Sequence, residues 1–399
     1  MTVMWNPLDP AARVDPYPTY RALLEEEPFH RSPFGPIVLS RYEDCSTVLH
    51  HPAASSDFRK SPEWAPPAGV APDEVHPSFL TLDPPDHTRL RGLVSQAFTP
   101  RRVEGLRPRM QQIVDGVLDR AAEQGGMEVV ADLAFPLPVL MICELLGVPG
   151  EDVDEFKDWS AAAARSLDPE FVVPPEVMEG AREASARAEA YFTDLIAKRR
   201  NEPRDDLLSA LLAVEERGDQ LSEAELLGTL GLLLIAGHET TVNLIANSVL
   251  AFARHPDQLA RLADDPSLIR SAVEEVLRFD PPVQVDGRVV LEDIEVSCGT
   301  IPKYEQPILL LPAANRDPAQ FADPDRFDIG RTDNRHLSFG FGIHHCLGAP
   351  LARAEGQVAL GTLARRFRDV ELRDDPPPYK DNIVLRGVVS LEVALTPRP

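Results

Sequence analysis

Between Ser338 and Gly348 the chain reads Ser338-Phe339-Gly340-Phe341-Gly342-Ile343-His344-His345-Cys346-Leu347-Gly348, which sets one cysteine in a glycine-kinked loop just ahead of a segment with helical periodicity. A backbone wrapped tightly around one sulfur must take positive φ or come very close to a ligand, and glycine does both most readily. Gly340, Gly342 and Gly348 supply that freedom. After the cysteine, Leu347, Leu351, Ala354 and Val358 follow three-and-four spacing, with Pro350 in the first turn, so a helix is expected to begin here. Its uncommitted N–H groups and positive dipole end favour an anion on Cys346. Low thiol pKa and metal ligation go together, which points to a thiolate on iron. The plain alternative is a small packed cysteine.

Phe339, Gly342, Cys346 and Gly348 resemble the Phe-x-x-Gly-x-x-x-Cys-x-Gly loop of the haem-thiolate monooxygenases, the cytochrome P-450 family, and His344 stands where bacterial members often carry histidine. The resemblance runs in order along nearly the whole chain. It implies haem b as cofactor, with Cys346 as the axial metal ligand that pushes electron density toward iron. Phe339 and Gly348 belong to the same cofactor-binding loop.

The 399 residues could fill two or three domains, yet the 39 prolines are scattered as turn punctuation and no linker, repeat or low-complexity tract marks a split. A single domain spanning 1–399 is expected. The net charge of -24 argues against nucleic acid or an anionic membrane as partner, since both reward clustered lysine and arginine. Met1 to Pro10 lacks a basic start followed by an apolar core, and the nearly apolar run Leu226 to Gly237 falls short of the roughly 20 residues that span a bilayer. Cys45, Cys143, Cys298 and Cys346 show no paired spacing, which suits a reducing cytoplasm. The resemblance accordingly points to the soluble bacterial type, expected as a monomer.

Ser222-Glu223-Ala224-Glu225 is a capping box that opens a helical segment running to Pro256. Inside it lies Ala236-Gly237-His238-Glu239-Thr240-Thr241, where an acid beside a hydroxyl in mid-helix runs against propensity. Such local conflicts often mark function. Splitting dioxygen needs protons delivered close by, and Glu239 with Thr240 matches the family's acid-alcohol pair. Ala236 and Gly237 are expected to border the cofactor, Gly237 letting oxygen and substrate approach the backbone. A zinc-protease reading of His238-Glu239 fails, because the second histidine would fall at Val242.

Two propionates on haem call for cationic or hydrogen-bonding groups. His87 and Arg91 lie four apart on a helix entered after prolines, and with Arg288 and His344 they match four family positions. Glu275 and Arg278, three apart, together with Arg326 in Pro324-Asp325-Arg326-Phe327, resemble the family's buried structural network. Tyr304 stands where the family usually has glycine, so either that turn differs or Tyr304 is strained.

Helical patterns dominate from Pro100 to Phe279, and Ile37 to Leu39, Val289 to Val296, Ile308 to Leu311 and Val389 to Leu395 read as short strands. A mainly α fold with small β-sheets is expected, and the resemblance implies haem between the long helix and the helix after Cys346. By family position the substrate pocket draws on the loop Ser61 to Pro77, Phe171, Leu233, Ala236, Val283, Val285, Val388 and Val389. The implied activity is hydroxylation or epoxidation of an apolar substrate such as a macrolide, terpene or steroid, using dioxygen. Electrons are expected from a ferredoxin and ferredoxin reductase, because no flavin or nicotinamide motif is present. A peroxide-driven enzyme, or a haem-thiolate sensor or carrier, remains the alternative. Arg101, Arg102, Arg107 and Arg109, with Arg353, form a candidate basic cluster for the ferredoxin.

Overall fold

The computed structural model describes residues 3–66, 78–168, 173–215 and 221–399. Contacts divide the chain into two compact units, one of Met1–Ala54, Val103–Leu137 and Thr240–Pro399, the other of Ser55–Arg102 and Pro138–Glu239. Neither is a continuous stretch.

The first unit holds the sheets. Phe29–Arg31, Ile37–Leu39, Ile308–Leu310 and Val285–Gly287 form a four-stranded sheet in that order. Ile37–Leu39 runs antiparallel to Phe29–Arg31 and parallel to Ile308–Leu310. Strand side chains alternate between faces, and the alternation is visible in the core. Ile37 and Leu39 enter a cluster with Val48, Val290 and Leu337, whereas Val38 joins Trp5, Tyr20 and Leu310 on the other face. The fully apolar strand is thus buried on both sides.

A second sheet pairs Phe367–Leu372 with Glu392–Pro397, which in turn pairs with Gly126–Glu128. This strand interrupts the helical stretch expected from Pro100 to Phe279, and Gly125 turns into it at φ 71. The expected strand Val289 to Val296 is two pieces, Val289–Val290 and Ile294–Val296, separated by exposed Glu292 and Asp293. The last strand begins at Glu392, later than Val389.

The second unit is helical. Val153–Ala164 and Pro175–Asn201 pack through edge contacts of Phe156 with Tyr191 and Phe192 and of Trp159 with Tyr191. The longest helix, Glu223–Arg254, has 32 residues, and the unit boundary falls within it at Glu239. Its capping box forms, with Ser222 N donating to Glu225 Oε2 at 2.9 Å and Glu225 N to Ser222 Oγ at 3.2 Å. Every residue from 241 to 250 is buried, so the helix is apolar because it is core.

Candidate active site

The cysteine loop closes on itself, Cys346 N donating to Phe339 O at 2.8 Å and Gly340 N to Leu337 O at 2.8 Å. Gly340 and Gly342 take φ of 65 and 67, as a tight loop requires. Gly342 has a second constraint, since a Cβ there would sit 2.7 Å from Leu49 O. Gly348 differs: its φ is -78, and a Cβ would lie 3.9 Å from Cys346 Sγ. That is ordinary van der Waals spacing, so neither left-handed backbone nor a close contact requires glycine at 348. The helix Ala349–Arg366 starts at once, with Pro350 in its first turn.

Cys346 is exposed, unlike Cys45 and Cys143, which are buried. Burial pushes the Cys143 thiol up to about 12 and the Cys45 thiol higher still, which leaves both inert. Cys298 is half-buried and accepts from Arg41 Nη1 at 2.6 Å.

Phe339 lies under the Arg353 guanidinium, 4.4 Å from its ring centre. Arg353 is itself gripped by Glu274 through two bonds of 2.7 and 2.8 Å, and His336 Nε2 reaches the same carboxylate at 3.1 Å. Burial raises the Glu274 pKa, but the bonds from Arg353 and His336 outweigh it and hold the group at about 2. Sequence reasoning missed this clamp. Glu274 is adjacent to Glu275, and two neighbouring acids on one helix serve different partners.

Glu275 and Arg278 form the expected pair, fully buried, with bonds of 2.9 and 2.8 Å. Arg326 is a correction. Its side chain is exposed, and it contributes only its carbonyl, which accepts from Arg278 Nη2 at 3.1 Å. The third charge is Arg331, whose Nε meets Glu275 Oε2 at 3.1 Å. The chain turns at Asp323, φ 46, and presents backbone oxygens of Pro324 and Arg326 to the buried guanidinium. Losing one member strands a buried charge at a cost of about 3–5 kcal/mol.

On the long helix Glu239 is buried and Thr240 half-buried. His238 is fully buried, its Nδ1 2.6 Å from Leu234 O and its Nε2 3.8 Å from Glu239 Oε2. At Gly237 a Cβ would meet the Ile142 side chain at 2.8 Å, so packing also favours glycine there. Ala236 is the exposed residue of this turn.

The candidate propionate residues divide between the units. In the second, His87 is buried and Arg91 half-buried; burial and then the Arg91 charge push the His87 pKa below its ordinary value. In the first, His344 is half-buried in the short turn Gly342–His344. Arg288 is buried, and its Nη1 donates to Asp286 Oδ1 and Gly287 O, both at 2.6 Å. Its Nε and Nη2 make no hydrogen bond among the described residues.

Of the pocket candidates, Ala236 and Val389 are exposed and Val283 is half-buried, while Leu233 and Val388 are buried. Val285 is half-buried, packs against the Trp5 and Tyr20 cluster, and lines a cleft there with Gln284 and Arg386. Phe171 and most of the Ser61 to Pro77 loop lie outside the described residues.

An exposed thiol in a glycine loop before a helix, a buried guanidinium with uncommitted donors, and an acid-alcohol pair in a long apolar helix define the haem-thiolate monooxygenase class. The donor set fits a haem held by one thiolate and by its propionates. Comparison with known proteins agrees. The family model for cytochrome P450 matches residues 31–394. Cytochrome P450 107B1 of Saccharopolyspora erythraea is 43% identical over 388 residues, 93% of each chain. The vitamin D(3) 25-hydroxylase of Pseudonocardia autotrophica is 44% identical, over 96% of this chain and 94% of that one. The ligand-free crystal structure of Mycobacterium smegmatis CYP164A2 superposes with a TM-score of 0.90 at 46% identity, covering 97% of this chain and 98% of that one. The chain belongs to the cytochrome P450 family. It is a monooxygenase of mainly α fold whose cofactor is haem b.

Proposed function

We propose that this monooxygenase hydroxylates or epoxidises a medium-sized or large apolar molecule, with electrons supplied by a ferredoxin and its reductase. The Glu239-Thr240 pair in an otherwise apolar buried helix carries the reading. Haem, when bound, activates dioxygen. The protein's part is to hold the iron through Cys346 Sγ, to anchor the propionates through His87, Arg91, Arg288 and His344, and to manage protons. The Thr240 hydroxyl gives up a proton where dioxygen is cleaved, and the Glu239 carboxyl replenishes it. A peroxide-driven enzyme or a carrier has no use for that pair.

The substrate class is supported by the relatives. Alongside the vitamin D(3) hydroxylase stand 6-deoxyerythronolide B hydroxylase of Saccharopolyspora erythraea, 41% identical, and mycinamicin IV hydroxylase/epoxidase of Micromonospora griseorubida, 42% identical. A steroid or macrolide scaffold suits apolar residues such as Ala236, Val283 and Val389. Neither compact unit is a continuous piece of chain, which supports one functional domain.

Oxygen uptake tests the reading. With a surrogate ferredoxin, its reductase and a panel of macrolides and steroids, uptake should rise with a subset and be matched by oxygenated product. Turnover with hydrogen peroxide alone, and none with the electron donors, would establish the peroxide-driven alternative.

A further inference from the structure

The chain from Pro378 to Val389 folds back as a hairpin, with Val389 N bonded to Pro378 O at 2.7 Å, Lys380 N to Gly387 O at 3.0 Å, and Tyr379 bridged to Val388. It carries Val388, buried, and Val389, exposed at its end. Two asparagines of the long helix hold it. Asn243 Oδ1 accepts from Lys380 Nζ at 3.0 Å, and Asn247 Nδ2 reaches Arg386 O at 3.2 Å. Both asparagines are buried. Amides are poor choices for a buried helix interior unless a partner requires them, because an unmet polar group there costs free energy. Among the described residues Asn243 Nδ2 has no partner, so its Oδ1 contact with Lys380 and its fit against the hairpin must compensate.

The fit is tight at one point. A Cβ on Gly387 would fall 2.0 Å from Asn243 Oδ1 and 2.4 Å from its Cγ. Gly387 is not in the left-handed region, so its backbone does not require glycine; the three atoms nearest an added Cβ all belong to Asn243, which would have to shift. Asn243 stands three residues after Thr240, on the same face of the helix, and about 4.5 Å further along its axis. One turn of helix therefore bears the proton-handling hydroxyl and the amide against which the hairpin rests.

We propose that Asn243, Lys380 and Gly387 are positioning residues that set where Val388 and Val389 stand relative to Thr240, and so which carbon of an apolar substrate is presented for oxidation. The inference rests on the monooxygenase reading and assigns the specificity of that site to a contact outside the substrate pocket. Moving the hairpin by the width of a methyl group changes the shape of the pocket wall without touching Thr240 or Cys346.

The test is a double-mutant cycle read by the affinity of the purified holoenzyme for 4-phenylimidazole, followed through its Soret shift. Gly387→Ala should change Kd by about tenfold or more in the wild-type background and by less than about threefold once Asn243→Ala has removed the overlapping amide and left only the position 243 Cβ, 3.1 Å away, of the three nearest atoms. Lys380→Met should change Kd by about threefold or more, with Lys380→Arg closer to wild type. Equal effects of Gly387→Ala in both backgrounds, or no effect in either, would overturn the proposal. If Gly387→Ala does not fold, Lys380→Met decides: an unchanged Kd overturns it. The carbon monoxide spectrum of the wild type tests the underlying reading separately, because loss of the thiolate band there refutes Cys346 ligation and leaves the hairpin contact unaffected.

Discussion

Thr240 and Glu239 occupy consecutive positions in a helix whose next ten residues are all buried, so neither polar group is there for solubility. A hydroxyl donor placed by geometry is worth orders of magnitude in proton transfer. Thr240→Ala should keep the thiolate spectrum while lowering product formed per electron by about tenfold and raising peroxide correspondingly. Coupling equal to wild type would remove Thr240 from the proton path. Tyr304 shows the opposite economy, a residue that costs stability. Its φ is 70, and Lys303 Nζ lies 4.7 Å from the centre of its ring. Left-handed backbone costs a side chain about 1–2 kcal/mol, against which the exposed cation–π contact returns about 0.5–1 kcal/mol. Tyr304→Gly is expected to raise the urea midpoint slightly; a fall would mean that the ring contact outweighs the strain.

At the scale of elements, the helix Ile269–Phe279 faces two ways through adjacent acids. Glu275 locks Arg278 and Arg331, and Glu274 locks Arg353 above Phe339 in the cysteine loop. Glu274 titrates at about 2 against an ordinary 4.5, so its contribution is fully present above pH 4.5 and drains away as pH falls toward 2. The shift corresponds to about 3 kcal/mol at neutral pH. Glu274→Gln should remove most of this acid dependence and lower haem retention at pH 5 to 7, with the thiolate band intact in the haem that remains. Unchanged retention would mean that Arg353 keeps its place over Phe339 without the carboxylate. Much of this was legible in the sequence. The capping box at Ser222, the helix start after Cys346 and the Glu275-Arg278 pair are local patterns, and local patterns survive folding. Arg331 in place of Arg326, the Glu274 clamp and the packing of Ile142 onto Gly237 depend on which long-range surface each side chain meets. Periodicity is silent about that, just as it gave no sign that Val285 would turn toward Trp5.

At the scale of the molecule, a net charge of -24 repels an acidic electron donor unless one surface reverses the sign locally. The arginines expected to do so are mostly committed: Arg107 to Glu104 and Gln357, Arg109 to Gln112, Arg353 to Glu274. The groove lined by Arg107 and Arg353 also presents Arg270 and Arg335. Arg270 is exposed with no ion pair among the described residues, and Arg335 is about four-fifths exposed with only a 3.6 Å approach to Asp333. Arg353 ties this groove to the cysteine loop through Phe339, so a donor seated there is close to the thiolate. Exposed charges steer partners over a screening length of about 8 Å at physiological salt. Reduction by the proposed ferredoxin, followed by stopped flow under carbon monoxide, should therefore slow as salt is added. Arg270→Glu with Arg335→Glu should slow it about tenfold at low salt and flatten the salt dependence, whereas Arg109→Glu should do far less. Equal losses from the two sets would place the docking surface on the helix bearing Arg109, and rates indifferent to both would remove electrostatic steering from this face of the protein.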